Sequence, residues 1–63
     1  MKKTEKAFYH GFAAAVSFVA RFGHEDIAEY TMEENNITLS DLEKAGCDEY
    51  DLVAIRKLDL RTD

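Results

Sequence analysis

The chain predicts an all-α fold: a small helical bundle in which one long, central, apolar helix carries three shorter helices packed over it. Three observations lead there. The run Ala7 to Phe22, AFYHGFAAAVSFVARF, is apolar on a helical period. Two later segments carry the signature of helix starts, and no proline interrupts any of the helical stretches. The 63 residues leave room for one small core, so the whole chain, 1–63, reads as a single helical domain.

Helix one follows from spacing. Phe8, Phe12, Ala15, Val19 and Phe22 recur at alternating steps of four and three, which on a period of about 3.6 residues makes a continuous apolar seam. Tyr9, Ala13, Val16 and Ala20 form a second seam beside it. Only His10, Ala14, Ser17 and Arg21 remain for a strip that faces water. Thr4 suits the N-cap with Glu5 in the first turn, and Gly23 suits the left-handed position after the last turn. Gly11 and Ala15 form a pair of small residues one turn apart, where another backbone can come close, either a neighbouring helix of the same chain or a second copy. Phe8, Gly11, Phe12, Ala15 and Phe18 are therefore the candidates for self-association as a homodimer, because three short helices are too few to cover all the phenylalanines.

Helix two opens at His24, Glu25 and Asp26, where acidic side chains complement the helix dipole. Its inner face reads Ile27, Ala28, Thr31 and Met32, with Asp26, Glu29 and Glu33 opposite and Tyr30 on the border. Asn35 and Asn36 end it, since asparagine tolerates the left-handed region.

The segments Ile37 to Leu42 and Cys47 to Leu52 echo one another ten residues apart. In each, a capping residue (Thr38, Asp48) is followed three residues later by Asp, and the apolar residue before the cap is matched by a leucine one turn into the helix. That is a hydrophobic staple with a variant capping box, and it starts two helices. The first runs from Leu39 to Ala45 and is closed by Gly46; the second runs from Glu49 towards Leu60 with Leu52, Ile55 and Leu58 inward. The segment VAIRKLDL alternates weakly, but no other strand exists to pair with it.

Charge is segregated. The net charge of −5 divides into a central stretch, His24 to Asp51, with ten acids against Lys44 alone, between two mildly basic ends. Some of these acids are caps and all of them aid solubility. An electronegative face built on Asp26, Glu29 and Glu33 is also suited to a protein partner with a basic surface, such as a nucleic-acid-binding protein whose groove it would occlude. Direct nucleic-acid binding is disfavoured, because such affinity comes mainly from cations on phosphate.

No phosphate loop, His-Glu-x-x-His or Gly-x-Ser-x-Gly occurs, so no enzyme, cofactor or metal is expected. Cys47 reads as a buried small hydrophobe, since Asp48, Glu49 and Asp51 repel a thiolate. His10 reads as exposed or facing a partner, and His24 as the first residue of helix two. The single cysteine excludes an internal disulfide framework and fits a reducing cytoplasm. The basic start before an apolar run mimics a secretory signal, but Glu5, Lys6 and His10 interrupt it. The run is too short and too polar for a membrane span.

Thr38 to Leu52, TLSDLEKAGCDEYDL, resembles the wording of short uncharacterised helical proteins encoded by tailed phages and prophages. The front half, with Tyr9, Gly11, Phe12 and its alanine run, is similar to them too. The resemblance implies a small accessory protein that acts by binding in the host cytoplasm. Some proteins of that kind inhibit host defence nucleases or CRISPR complexes. No functional residue carries over from it.

Overall fold

The computed structural model describes residues 1–60; the last three residues of the expected 1–63 domain lie outside them. The fold is all-α. Four helices follow in order: α1 (Lys3–Arg21), α2 (Glu25–Glu34), α3 (Leu39–Lys44) and α4 (Glu49–Arg56). α1 contacts each of the other three, while α2 lies on one flank and α3 packs with α4 on the other. The described chain measures 31 × 21 × 14 Å, close to two helix layers.

Three corners set this path, and all three are built alike. After α1, Gly23 takes φ +91° and donates its N–H to the Ala20 carbonyl, while His24 donates to Val19. After α2, Asn36 takes φ +53° and bonds Glu33, while Ile37 bonds Met32. After α3, Gly46 takes φ +73° and bonds Glu43, while Cys47 bonds Leu42. Each is a Schellman motif, in which a left-handed residue turns the chain and satisfies carbonyls that the helix leaves open. Ile37 and Cys47 then serve a second time. Each is the apolar residue before the next helix's cap, and the pairs Ile37–Leu42 and Cys47–Leu52 are buried as the staples require.

The two caps differ. Thr38 Oγ1 accepts the Asp41 N–H at 3.1 Å, and an Asp41 carboxylate oxygen accepts the Thr38 N–H at 2.9 Å, completing the capping box. Asp48 caps with its backbone instead: the Asp51 N–H bonds the Asp48 carbonyl at 3.0 Å and the side chain accepts nothing. α1 also begins differently from the expectation. Its cap is Lys2, not Thr4, and a Glu5 carboxylate oxygen takes the Lys2 N–H at 3.3 Å. α4 stops at Arg56 rather than running to Leu60, because Lys57 and Leu58 tighten into i−3 bonds. Leu58 still reaches the core, and the Asp59 N–H turns aside to Glu29 Oε2 at 2.9 Å.

The core lies on the second seam of α1. Ala13, Val16 and Ser17 are buried, flanked by half-buried Tyr9 and Ala20, against Ala28 and Met32 of α2, Leu42 of α3 and Leu52 and Ile55 of α4. Met32, Leu42 and Ile55 are each almost fully enclosed, and burial of side chains that size stabilises by about 1.5–3 kcal/mol apiece. The strip expected to face water is instead partly covered. Ser17 is buried, while His10, Ala14 and Arg21 stay exposed, His10 Nε2 donating to the Ala45 carbonyl at 3.0 Å and Arg21 reaching Tyr50. Of the Phe8–Phe22 seam, Phe12 and Val19 pack half buried against the core, and Phe8, Ala15 and Phe22 are left outside, with Phe18 beside them. Ile27, expected inside α2, is likewise half exposed.

The caps give the first prediction. Thr38→Ala should cost about 1 kcal/mol, a fall in melting temperature of roughly 4–8 °C for a domain this small. Asp48→Ala should cost much less, because no side-chain bond is lost; chemical denaturation of the two variants measures both.

Candidate interaction surfaces

The outer face of α2 is acidic and aromatic. Tyr30 stands one turn from Asp26 on one side and from Glu33 and Glu34 on the other, and its side chain is 61% exposed. Asp26, Glu33 and Glu34 are exposed as well. Glu29 differs from its expected role: it is half buried, and its carboxylate is engaged by the Asp59 N–H. The acidic trio is therefore Asp26, Glu33 and Glu34 around Tyr30, with Glu29 serving the fold.

Electrostatics set this face apart from the other acids. Among the described residues, both ion pairs belong to Arg56, which bonds Glu43 at 3.3 Å and grips Glu49. The Arg56 hydrogen bond holds the Glu49 carboxyl below its usual range and raises the guanidinium in return. Among the described residues no ion pair engages a carboxylate of α2, and its last turn carries no base. Glu25 and Asp26 gain from the positive end of the helix dipole, but Glu33 and Glu34 occupy its negative end. Carboxylates there are disfavoured by about 0.3–1 kcal/mol each. Helix stability does not account for them.

The second surface is the phenylalanine face of α1. Phe8, Phe18 and Phe22 are 58%, 65% and 71% exposed, Gly11 and Ala15 are exposed between them, and Phe12 is half buried at the edge. Phe18 stacks on Phe22 at 5.5 Å between centroids, Phe8 leans on Phe12 at 6.0 Å and meets Tyr9 edge-on at 5.5 Å, and Phe22 lies 6.4 Å from the His24 ring. All five residues expected to mediate self-association thus lie along one side of the helix, four exposed and Phe12 half buried.

Between these faces runs a clasp that sequence reading missed. Arg21, at the end of α1, lies over the Tyr50 ring with its guanidinium carbon 3.9 Å from the centroid. It also donates to the Tyr50 carbonyl and, at 3.3 Å, to Ser17 Oγ. Nothing local in the sequence links residues 29 apart. Beside the clasp is a groove of about 220 Å³ lined by Ala20, Arg21, Glu25, Ala54 and Lys57. Small-molecule sites are usually about 300–1,000 Å³, and this one mixes both signs of charge in a smaller space. Among the described residues, no three His, Cys, Asp or Glu side chains are grouped to hold a metal ion, and no helix is long and apolar enough to cross a membrane.

Cys47 is buried, and its thiol points at the Tyr9 carbonyl at 3.5 Å. Burial first, then the charges of Asp51 and Asp48, push its pKa upward. Against this background of geometry, neither family models, nor curated proteins, nor solved structures match the chain.

The raised thiol pKa has a defined sign. The folded protein holds the proton more tightly than the unfolded chain, so the contribution is complete below the unfolded thiol value and declines as pH rises through the folded one. Native Cys47 should therefore react slowly with a thiol reagent at neutral pH and quickly after denaturation. Stability should begin to fall as pH passes the ordinary thiol range of about 8.5–9, and a Cys47→Ala chain should lack that component.

Proposed function

We propose that this chain is a non-catalytic, acidic protein-binding module that acts by occupying a basic surface on another protein. The observation that carries this reading is the outer face of α2. Asp26, Glu33 and Glu34 surround an exposed tyrosine, make no ion pair among the described residues, and in two cases stand where the helix dipole opposes them. Tyrosine is among the residues that most often anchor protein interfaces, and an unscreened acidic rim accelerates encounter with a basic partner. The chemistry needed is complementarity alone, with no cofactor or metal.

A basic surface of this kind is typical of proteins that grip nucleic acid. An acidic ligand docked there competes with phosphate for the same lysines and arginines. In this reading the module inhibits a nucleic-acid-binding or defence protein of the host cytoplasm, as the resemblance to phage-encoded proteins, anti-CRISPR and other anti-defence types among them, implies. Its contacts are Asp26, Tyr30 and Glu33, with Glu34 beside them and Glu29 as the hinge to the Asp59 backbone.

The test is capture of a partner from host lysate by the immobilised chain, followed by identification and titration of that partner. A Tyr30→Ala, Glu33→Lys double variant, folded by circular dichroism, should bind at least tenfold more weakly. Raising salt well above about 0.15 M, where the Debye length falls below ~8 Å, should weaken the native chain's binding too. Retrieval of the same partner by the variant at unchanged affinity removes this reading.

A further inference from the structure

The phenylalanine face of α1 has a spacing that its own fold does not use. Thr4, Phe8, Gly11, Ala15, Phe18 and Phe22 follow one another at four, three, four, three and four residues. That is a heptad seam, whose repeat keeps the same residues against a partner helix along its whole length. The monomer core runs along a different face, through Ala13, Val16 and Ala20.

We infer that this seam is the seat of a second copy of the chain, paired antiparallel. Gly11 of each α1 faces Ala15 of the other, and Phe8 of each packs on Phe18 of the other. In an antiparallel pair, a residue early in the heptad meets one late in it, and this register brings large side chains to both ends and the two smallest to the centre. Phe22 then lies against Thr4 of the second copy.

Four observations support this occupant. The first is Gly11. A Cβ placed there meets nothing within 4 Å, and its φ is not in the left-handed region, so the monomer requires no glycine at a position where glycine is among the poorest helix formers. A close approach from outside the chain gives the missing side chain a purpose. The second is charge. One end of α1 carries Lys2, Lys3 and Lys6 against Glu5, net basic, whereas its other end, past Arg21, leads into exposed Glu25 and Asp26, net acidic. Antiparallel pairing sets each basic end beside an acidic corner; parallel pairing sets like beside like. The third is area. The exposed parts of Phe8, Phe18 and Phe22 amount to roughly 400 Å² of ring surface, about half of the ~800 Å² per partner that a stable complex buries. The rest is available along the 19 residues of α1. The fourth is closure. A two-fold pairing of this face leaves no further copy of it open, so assembly stops at two.

This inference is independent of what the acidic face of α2 meets, and it is tested separately. Sedimentation equilibrium of the full chain at tens to hundreds of micromolar should give twice the 7.2 kDa chain mass. Phe18→Glu, at an exposed site, should keep the native circular dichroism spectrum and sediment as a monomer. Gly11→Leu, which has open space in the monomer, should keep the fold and weaken pairing at least tenfold. Direction is read by disulfide formation. Mixing a Phe8→Cys chain with a Phe18→Cys chain should give the mixed disulfide well ahead of either symmetric one, with the unsubstituted chain as the control for Cys47. Salt should weaken the pair, since the end charges contribute. A folded wild-type chain that stays monomeric at hundreds of micromolar overturns the inference, including where Phe18 then proves to hold a lipid vesicle or a different protein. So do symmetric disulfides that form first, which mark a parallel pair.

Discussion

Coverage is the constraint on which this molecule depends. α1 has 19 residues and is apolar around most of its circumference, but the helices available to shield it have only 10, 6 and 8. They cannot encircle it. One face of α1 must stay in water, and packing geometry decides which. Ala13, Val16 and Ser17 are taken into the core, Tyr9, Phe12, Val19 and Ala20 sit at its edge, and Phe8, Phe18 and Phe22 stay outside it. Three of the four phenylalanines end up outside because the short helices cover only one side of α1.

The short helices hold their places through the corners rather than through length. Helices of six and eight residues are unstable alone. Each is fixed at its start by a staple and, in α3, by a closed capping box. Ile37 and Cys47 do two jobs each, sealing one helix and stapling the next, so α2, α3 and α4 form a continuous chain of turns around one core. Arg56 binds Glu43 to Glu49 across the last corner, and Arg21 ties α1 to Tyr50. These bonds join parts of the chain that hydrophobic contact alone would leave loose.

How much of this was legible in the sequence follows the range of each interaction. The ends of the helices could be read from Gly23, Asn36, Gly46, Thr38 and Asp41, because capping is settled within about five residues. The all-α architecture, with α1 at its centre, came from periodicity together with the two helix starts and the absence of proline. Which face of α1 is buried could not be read, because two adjacent seams are both apolar and the choice rests on distant helices. Ser17 was placed in water for the same reason, whereas His10 stands exposed as read, with a bond to the Ala45 carbonyl thirty-five residues on that its spacing could not show. In the acidic face, Asp26 and Glu33 stand exposed as expected from their spacing. Glu29 is drawn away by Asp59, thirty residues on, and Tyr30 moves from the border to the centre.

The central claim is that α1 gives its small residues to the core and its phenylalanines to the surface. Fluorine NMR of a chain labelled at phenylalanine, diluted to low micromolar concentration with a soluble paramagnetic chelate, tests it most directly. The account predicts three strongly broadened resonances, assigned by substitution to Phe8, Phe18 and Phe22, and a fourth from Phe12 that is partly protected. Four resonances equally shielded from the chelate at that dilution would contradict it, because the phenylalanine seam would then be the core.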